Sequence, residues 1–265
     1  MKIPVQPAVV KLPREADIIE QSPRPYLGMS QIGGSCQRQL WYYFRHVYTS
    51  KFSRRTMRIF ERGNWEEERI VKELEELHGF TIEDTQMTYT DLEGHFNGHS
   101  DGGVRHPKLT NDERVVLEIK SMNQKAYTGL VKHGLKKSKP AYYAQIVLYM
   151  YYEGLERALY IVTNKDTEER KVFFVQANDE YAKEMIERAV SIITAISPPK
   201  KIGGPDWHEC KWCDAYDICQ FSEAPKDNCR LCEHALPERK GTWMCTEHTR
   251  LITEPCDGYS SLLSD

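Results

Sequence analysis

Apolar positions repeat along this chain with two periods, and each predicts an element. Between residues 56 and 78, Met57, Phe60, Ile70, Leu74 and Leu77 make a stripe of helical period, with charge filling the rest. Val115 to Ser121 reads as a strand: a β-branched apolar run, then Glu118 and Lys120 with one apolar residue between them. Strand side chains alternate, so Glu118 and Lys120 face one way while Leu117 and Ile119 enter the other layer. Pro140 to Tyr152 is mostly apolar and reads as a buried helix with proline in its first turn. Ala158 to Thr163 and Lys171 to Gln176 read as antiparallel strands joined by the polar turn Asn164 to Glu169. Residues 178 to 197 form an amphipathic helix closing before Pro198-Pro199.

The remaining stretches are less periodic. Residues 1 to 27 are Pro-rich and read as an extended arm. Ser30 is placed to cap a short helix ending at Gly33-Gly34, and Cys36 opens a second helix with Leu40, Trp41 and Tyr42 behind it. Residues 80 to 121 read as strands with turns, and residues 124 to 138 as a helix with a basic loop. The sequence of elements predicts an α/β protein, a mixed sandwich with helices on both sides of a sheet.

The candidate chemistry lies on the Val115–Ser121 strand. Before it, turn-rich Asn97-Gly98 and Gly102-Gly103 surround Asp101. A hairpin of these segments would set Asp101 beside Glu118. Two carboxylates and a backbone carbonyl suit Mg²⁺, which takes oxygen ligands and keeps several waters. A lysine beside them can orient water and offset charge on a phosphate. Gln145 and Tyr149 are four apart on the apolar helix and share a face, where a glutamine needs polar partners. Gly63 sits inside the first long helix at a cost of about 1 kcal/mol relative to alanine, which points to a close approach there.

Composition narrows the partners. Hydrophobic content of 40% and charged content of 28% are ordinary for a globular chain. No apolar run approaches the roughly 20 residues of a membrane span, and the N-terminus lacks an apolar secretory core, so a cytoplasmic protein away from membranes is expected. The net charge of −3 rules out a uniformly basic nucleic-acid binder. Basic residues are clustered, however, at Lys51, Arg54, Arg55, Arg58 and Arg62, and again at Lys132, Lys136, Lys137 and Lys139. Each cluster is either solvated surface or a phosphate-binding rim.

Of the eight cysteines, Cys36 stands alone and seven fall between Cys210 and Cys256. In a chain expected to be intracellular, that argues for metal rather than disulfides. Cys210, Cys213 and Cys219 give C-x₂-C-x₅-C, one thiolate short of a four-ligand site, and Cys36 can supply the fourth. This spacing alone does not separate iron–sulfur from structural zinc. After a linker at 222–227, Cys229, Cys232, Cys245 and Cys256 match a small zinc-ribbon-like module, with His234 and His248 nearby and His248 able to replace Cys256. The expected division is 1–221 and 222–265, the second piece being too short for a core of its own.

Taken in order, these motifs resemble the RecB-like branch of the PD-(D/E)XK nucleases, including AddB-type and CRISPR-associated RecB-like exonucleases with an iron–sulfur staple. The resemblance covers roughly residues 29 to 220. It implies a restriction-endonuclease-like core, a mixed central sheet flanked by helices. It implies Mg²⁺- or Mn²⁺-dependent hydrolysis of single- or double-stranded DNA, most simply as an exonuclease. Asp101, Glu118 and the Ile119 carbonyl would bind the catalytic metal, and Lys120 would position water. Glu67, four residues after Gly63 (or Glu66 in its place), would bind a second metal or the water. Gln145 and Tyr149 would support the site, and Cys36, Cys210, Cys213 and Cys219 would hold a [4Fe–4S] cluster. Glu67 replaces the histidine common in the CRISPR-associated branch. The tail with Cys229, Cys232, Cys245 and Cys256 lies outside the resemblance. Its zinc would serve DNA contact, docking of a protein partner, or structure alone. The competing function is a DNA-binding, recombination-accessory protein that keeps the nuclease fold as a scaffold.

Overall fold

A computed structural model describes residues 14–252 and 254–263. The expected arm at residues 1–13 lies outside the described residues. The elements are β1 (Ile18–Gln21), β2 (Leu27–Gly28), α1 (Gln37–Phe44), β3 (Ser50–Ser53), α2 (Arg54–Glu76), β4 (Thr81–Asp84), β5 (Met87–Asp91), β6 (Phe96–Ser100), β7 (Gly102–Arg105) and β8 (Val115–Met122). They continue with α3 (Gln124–His133), α4 (Leu135–Ser138), α5 (Pro140–Glu153), β9 (Arg157–Asn164), β10 (Arg170–Gln176), α6 (Asp179–Thr194), α7 (Tyr216–Phe221), β11 (Ala235–Pro237), β12 (Trp243–Cys245) and β13 (Arg250–Leu251). The mixed α/β architecture matches the expectation.

The central sheet has the order β10-β9-β8-β7-β4. Strand β8 runs parallel to β9 and antiparallel to β7. The expected hairpin at residues 157–176 forms, with Ala158 opposite Val175 and Ile161 opposite Val172. A second sheet, β2-β6-β5, lies beside it. Strands β6 and β7 are separated by Asp101 alone, so the chain leaves one sheet and joins the other at that residue.

The two faces of β8 do different things. Leu117 and Ile119 pack with Ile70 and Leu74 of α2, and with Leu159 and Ile161 of β9. Full burial of each such side chain contributes about 1.5–3 kcal/mol, which fixes the register. The opposite face carries Val116, Glu118 and Met122 under α5, whose residues 144–150 are all buried. Helix α2 begins on the Ser53 cap, whose hydroxyl accepts from the Thr56 N–H. Its stripe is only half used: Ile70 and Leu74 are buried, while Phe60 and Leu77 are exposed. The N-terminal half of α2 therefore projects past the core.

Two local expectations are corrected. The helix expected from Ser30 is absent. Gln31 and Gly34 close successive turns onto Gly28 and Gln31, and these turns bury Met29 and Ile32 completely. So short a segment gains more from that burial than from an isolated helical turn. At Gly63, a Cβ would meet nothing within 4 Å. No protein group approaches it, and Gly63 instead lines an open groove.

Residues 222–263 carry a three-stranded sheet, β11-β12-β13, docked onto the main core. Leu231 and Trp243 belong to the same apolar cluster as Phe44 and Phe96. Arg45, at the end of α1, is 1% exposed and lies between the Trp41 and Trp243 rings. It donates to the Arg230, Ala235 and Ala195 carbonyls at 2.9, 3.3 and 3.0 Å. Such charge-assisted bonds are needed wherever a guanidinium is buried.

Candidate active site and cysteine cavities

The carboxylate site is assembled from three directions. The β7–β8 register pairs Gly102 with Leu117, which sets Asp101 next to Glu118. Asp101 Oδ2 accepts the Ile119 N–H at 2.6 Å. Gly102 makes this corner possible: its φ is +143°, and a Cβ there would lie 2.0 Å from the Asp84 carbonyl oxygen. Lys120 contacts Glu118, lies 3.9 Å from Asp101 Oδ2, and donates to the Ile119 carbonyl at 3.0 Å. The ammonium thus sits among the three oxygen donors that the sequence pointed to.

Helix α5 closes the site from above. Gln145 donates to Glu118 Oε1 at 2.9 Å and to the Tyr149 hydroxyl at 3.1 Å. That hydroxyl accepts the His99 N–H at 3.1 Å and donates to the His99 carbonyl at 2.8 Å. Gly98 leaves room for it, since a Cβ there would lie 2.7 Å from the Tyr149 ring. Tyr89 stacks on Tyr149 with centroids 4.6 Å apart. Helix α2 supplies Glu67, whose Oε1 accepts from Gln86 at 2.6 Å. Gln86 has φ of +55°, a conformation rare outside glycine and often found at functional sites. Glu66, the alternative, instead pairs with Arg69 and approaches Arg170.

The electrostatics are those of acids crowded out of water. Burial pushes Glu118 up to about 8; Lys120 opposes the shift, while Asp101 and Glu67 add to it. Asp101 is raised by burial against the pull of Lys120 and the Ile119 N–H. Glu67 is raised by burial and then by Asp101. Burial disfavours the charged Lys120, but Glu118 and Asp101 outweigh it and hold the ammonium above its ordinary range. Glu118 Oε2 is buried without a hydrogen-bond partner. A hard divalent cation would satisfy that orphaned oxygen and the charge beside it, so the donor set fits Mg²⁺ or Mn²⁺.

The site opens into a groove of about 610 Å³ between α2 and the start of α5. Arg55, Arg58, Arg62 and Lys165 line it with Glu67, Lys120 and Tyr142. The first basic cluster therefore divides. Arg55, Arg58 and Arg62 reach the groove, Arg58 paired with Glu15 and Arg62 with Glu168, whereas Lys51 and Arg54 pair with Glu20 and Asp17 outside its lining. In the second cluster, Lys136 lies over Tyr143 and Tyr181, and Lys139 over Tyr142. Sequence reading missed Gln86, Lys165, Tyr142 and the His99 backbone. Tyr142 was within reach, since it stands three residues before Gln145 on the same helix face.

No family model matches the chain, and no curated protein matches it. Among solved structures it is similar to the protein SSO0001, at 15% identity over 77% of this chain and 89% of that one, with a TM-score of 0.46. It is also similar to an alkaline exonuclease from Laribacter hongkongensis, at 16% identity over 64% and 87%, with a TM-score of 0.47. A phage-related exonuclease from Haemophilus somnus aligns at 13% identity over 63% and 91%, with a TM-score of 0.46. Likenesses this distant carry no functional argument. No described helix is long and apolar enough to cross a membrane.

The cysteines gather into the two sets expected. Cys36, Cys210, Cys213 and Cys219 line one cavity. Cys36 caps α1, its sulfur accepting the Gln39 N–H at 3.4 Å. Burial pushes the Cys213 thiol up to about 11, and burial followed by Cys219 and Cys36 raises Cys210. Cys229, Cys232, Cys245 and Cys256 line a second cavity with His234. His248 Nε2 lies 3.1 Å from Cys256 Sγ, so both candidates for the last ligand stand together. No disulfide forms among the described residues. Nor are three His, Cys, Asp or Glu side chains among them gathered closely enough to hold a lone metal ion. Sulfur-only and sulfur–nitrogen donors nevertheless fit soft or borderline metals in kind, and thiols raised by burial become good ligands once metal displaces their protons.

Proposed function

We propose that this protein is a divalent-metal-dependent deoxyribonuclease of the PD-(D/E)XK superfamily, RecB-like branch, working as an exonuclease. The observation that carries the reading is the meeting of Asp101, Glu118 and Lys120 at the floor of a basic groove. Asp101, Glu118 and the Ile119 carbonyl would hold Mg²⁺ or Mn²⁺, with Glu67 available to a second ion. The ion, when bound, activates water near neutral pH and offsets charge gathering on the phosphate.

The rest falls to the chain's own residues. The Lys120 ammonium now stands where positive charge is needed between two acids. An ion held by Glu118 would leave the ammonium free to face the groove, where it would orient water and meet a phosphate oxygen. Gln145 keeps Glu118 in place, and Tyr149, clamped to the His99 backbone, keeps Gln145 in place. Arg55, Arg58, Arg62 and Lys165 would draw the DNA backbone in. Cys36, Cys210, Cys213 and Cys219 would carry a [4Fe–4S] cluster, and the tail's cysteines a zinc ion.

The test is end-labelled single- and double-stranded DNA incubated with Mg²⁺, Mn²⁺ or EDTA. Nucleotides released with metal and not with EDTA are the expected outcome. Soluble, iron-loaded protein that binds DNA but cuts neither form with either ion would leave the scaffold reading in place.

A further inference from the structure

Tyr160 lies on β9, directly in register with Glu118 of β8. Neighbouring strands run about 4.8 Å apart and paired residues share a face, so its ring rises beside Glu118 and one pleat from Lys120. Tyr160 is completely buried. Its hydroxyl has no hydrogen-bond partner. That is unusual, because a buried tyrosine hydroxyl normally finds one and a bare one is costly. Two other buried tyrosines of this site are satisfied: Tyr149 by Gln145 and His99, Tyr89 by Ser100. Lys120, Tyr142 and Glu118 are near enough to act electrostatically on the Tyr160 hydroxyl. Lys120 itself has three N–H donors and spends two of them, on Glu118 and the Ile119 carbonyl, under the Tyr142 ring at 5.8 Å.

We propose that Tyr160 is a positioning residue for Lys120, its hydroxyl accepting an ammonium N–H when Glu118 is engaged by an ion. The proposal rests on the nuclease reading for its effect on turnover. Without such an acceptor, a lysine released from Glu118 would swing on a four-carbon stem. With it, the head group stays at a fixed height over the sheet, aimed at the groove. The Phe173 ring, 6.2 Å away, holds the Tyr160 ring from the far side, so the hydroxyl has little freedom to find solvent.

Two measurements test this. In Tyr160→Phe the ring packing survives and no existing hydrogen bond is lost, so the melting temperature should hold or rise. A hydrogen bond to a charged group is then missing only in the loaded site, and kcat should fall about ten- to a hundredfold with KM within a few fold. Wild-type kcat, or a loss of kcat matched by a loss of folding stability, overturns the proposal. A crystal structure of the wild-type protein soaked with Ca²⁺ should place Tyr160 Oη about 2.7–3.2 Å from Lys120 Nζ. A hydroxyl bonded elsewhere or still unpartnered overturns it. If the wild-type protein cuts no DNA with Mg²⁺ or Mn²⁺, the nuclease reading falls, while that distance still decides the Tyr160–Lys120 contact.

Discussion

The carboxylate groove and the two thiol cavities are both suited to metal, but they are built in opposite ways. Glu118 and Lys120 stand on β8, and Asp101 on the corner leading into β7, strands whose register is fixed by core burial on the other face. Their partners are already in place: the Ile119 N–H for Asp101, Gln145 for Glu118, Gln86 for Glu67. The cysteines stand on caps, 3₁₀ turns, the short helix α7, a short hairpin and a loop. Around Cys210 the packing is thin, and Trp212 beside it is 89% exposed. A preorganised site would use an ion for chemistry, whereas a loosely built one would gain structure from a metal.

That contrast can be broken by mutation on each side. Lys120→Met should lower Mg²⁺-dependent cleavage by at least about a hundredfold, as expected when a charged group acting on the reacting centre is removed, with DNA binding kept. Near-normal turnover would take Lys120 out of the mechanism. The second effect is on structure. Cys36→Ala should bleach the brown colour of an anaerobic preparation, remove iron and lower the melting temperature, because its cavity ties residue 36 to residues 210–219 across a very long loop. Unchanged iron in this variant, or zinc alone in the wild-type protein, would end the cluster proposal.

The smallest effect sharpens the comparison through pH. Burial raises Glu118 to about 8 in the folded chain against an ordinary value of 4.5. The folded state therefore holds a proton that the unfolded state has released. Metal-free stability from this group falls as pH rises from about 4.5 to 8, then levels. His46 and His95, both lowered by burial, work in the opposite sense as pH rises through the ordinary histidine range. The measurable quantity is the difference in melting temperature between wild-type and Glu118→Gln, without metal. It should shift against the wild-type protein between pH 5 and pH 8, and Mg²⁺ should remove the shift. A flat difference would mean that Glu118 is ionised throughout.

How much of this could be seen in the sequence depends on how local each signal is. The alternation at Val115–Ser121 gave the two faces of β8, and the spacing of Gln145 and Tyr149 gave the shared helix face, since both follow from fixed periods. The meeting of Asp101 with Glu118 was legible because one hairpin register decides it. The use of Gln86 was not, because nothing in a two-residue turn announces a contact with a helix nineteen positions earlier. The stripe on α2 overstated the core, because periodicity reports which side is apolar and not how far a neighbouring sheet extends. Tyr160 was hidden in an apolar strand where tyrosine reads simply as bulk. The docking of Trp243 on Phe44 and Arg45 joins residues about 200 positions apart, at a distance no spacing rule reaches.

Arg45 has a consequence for how the molecule is made. Two of the carbonyls that receive its guanidinium, those of Arg230 and Ala235, lie 185 and 190 positions further along the chain. A ribosome releases the first helix long before it releases them. Through most of synthesis this arginine must stay in water, holding the end of α1 open. It is sealed only when the segment 230–243 has been made and Trp243 closes over it. The same helix carries Cys36 at its other end, so a chain broken off early is left with a loose strut under its first thiol. Docking of the segment 230–243 thus decides whether the end of α1 is anchored at all.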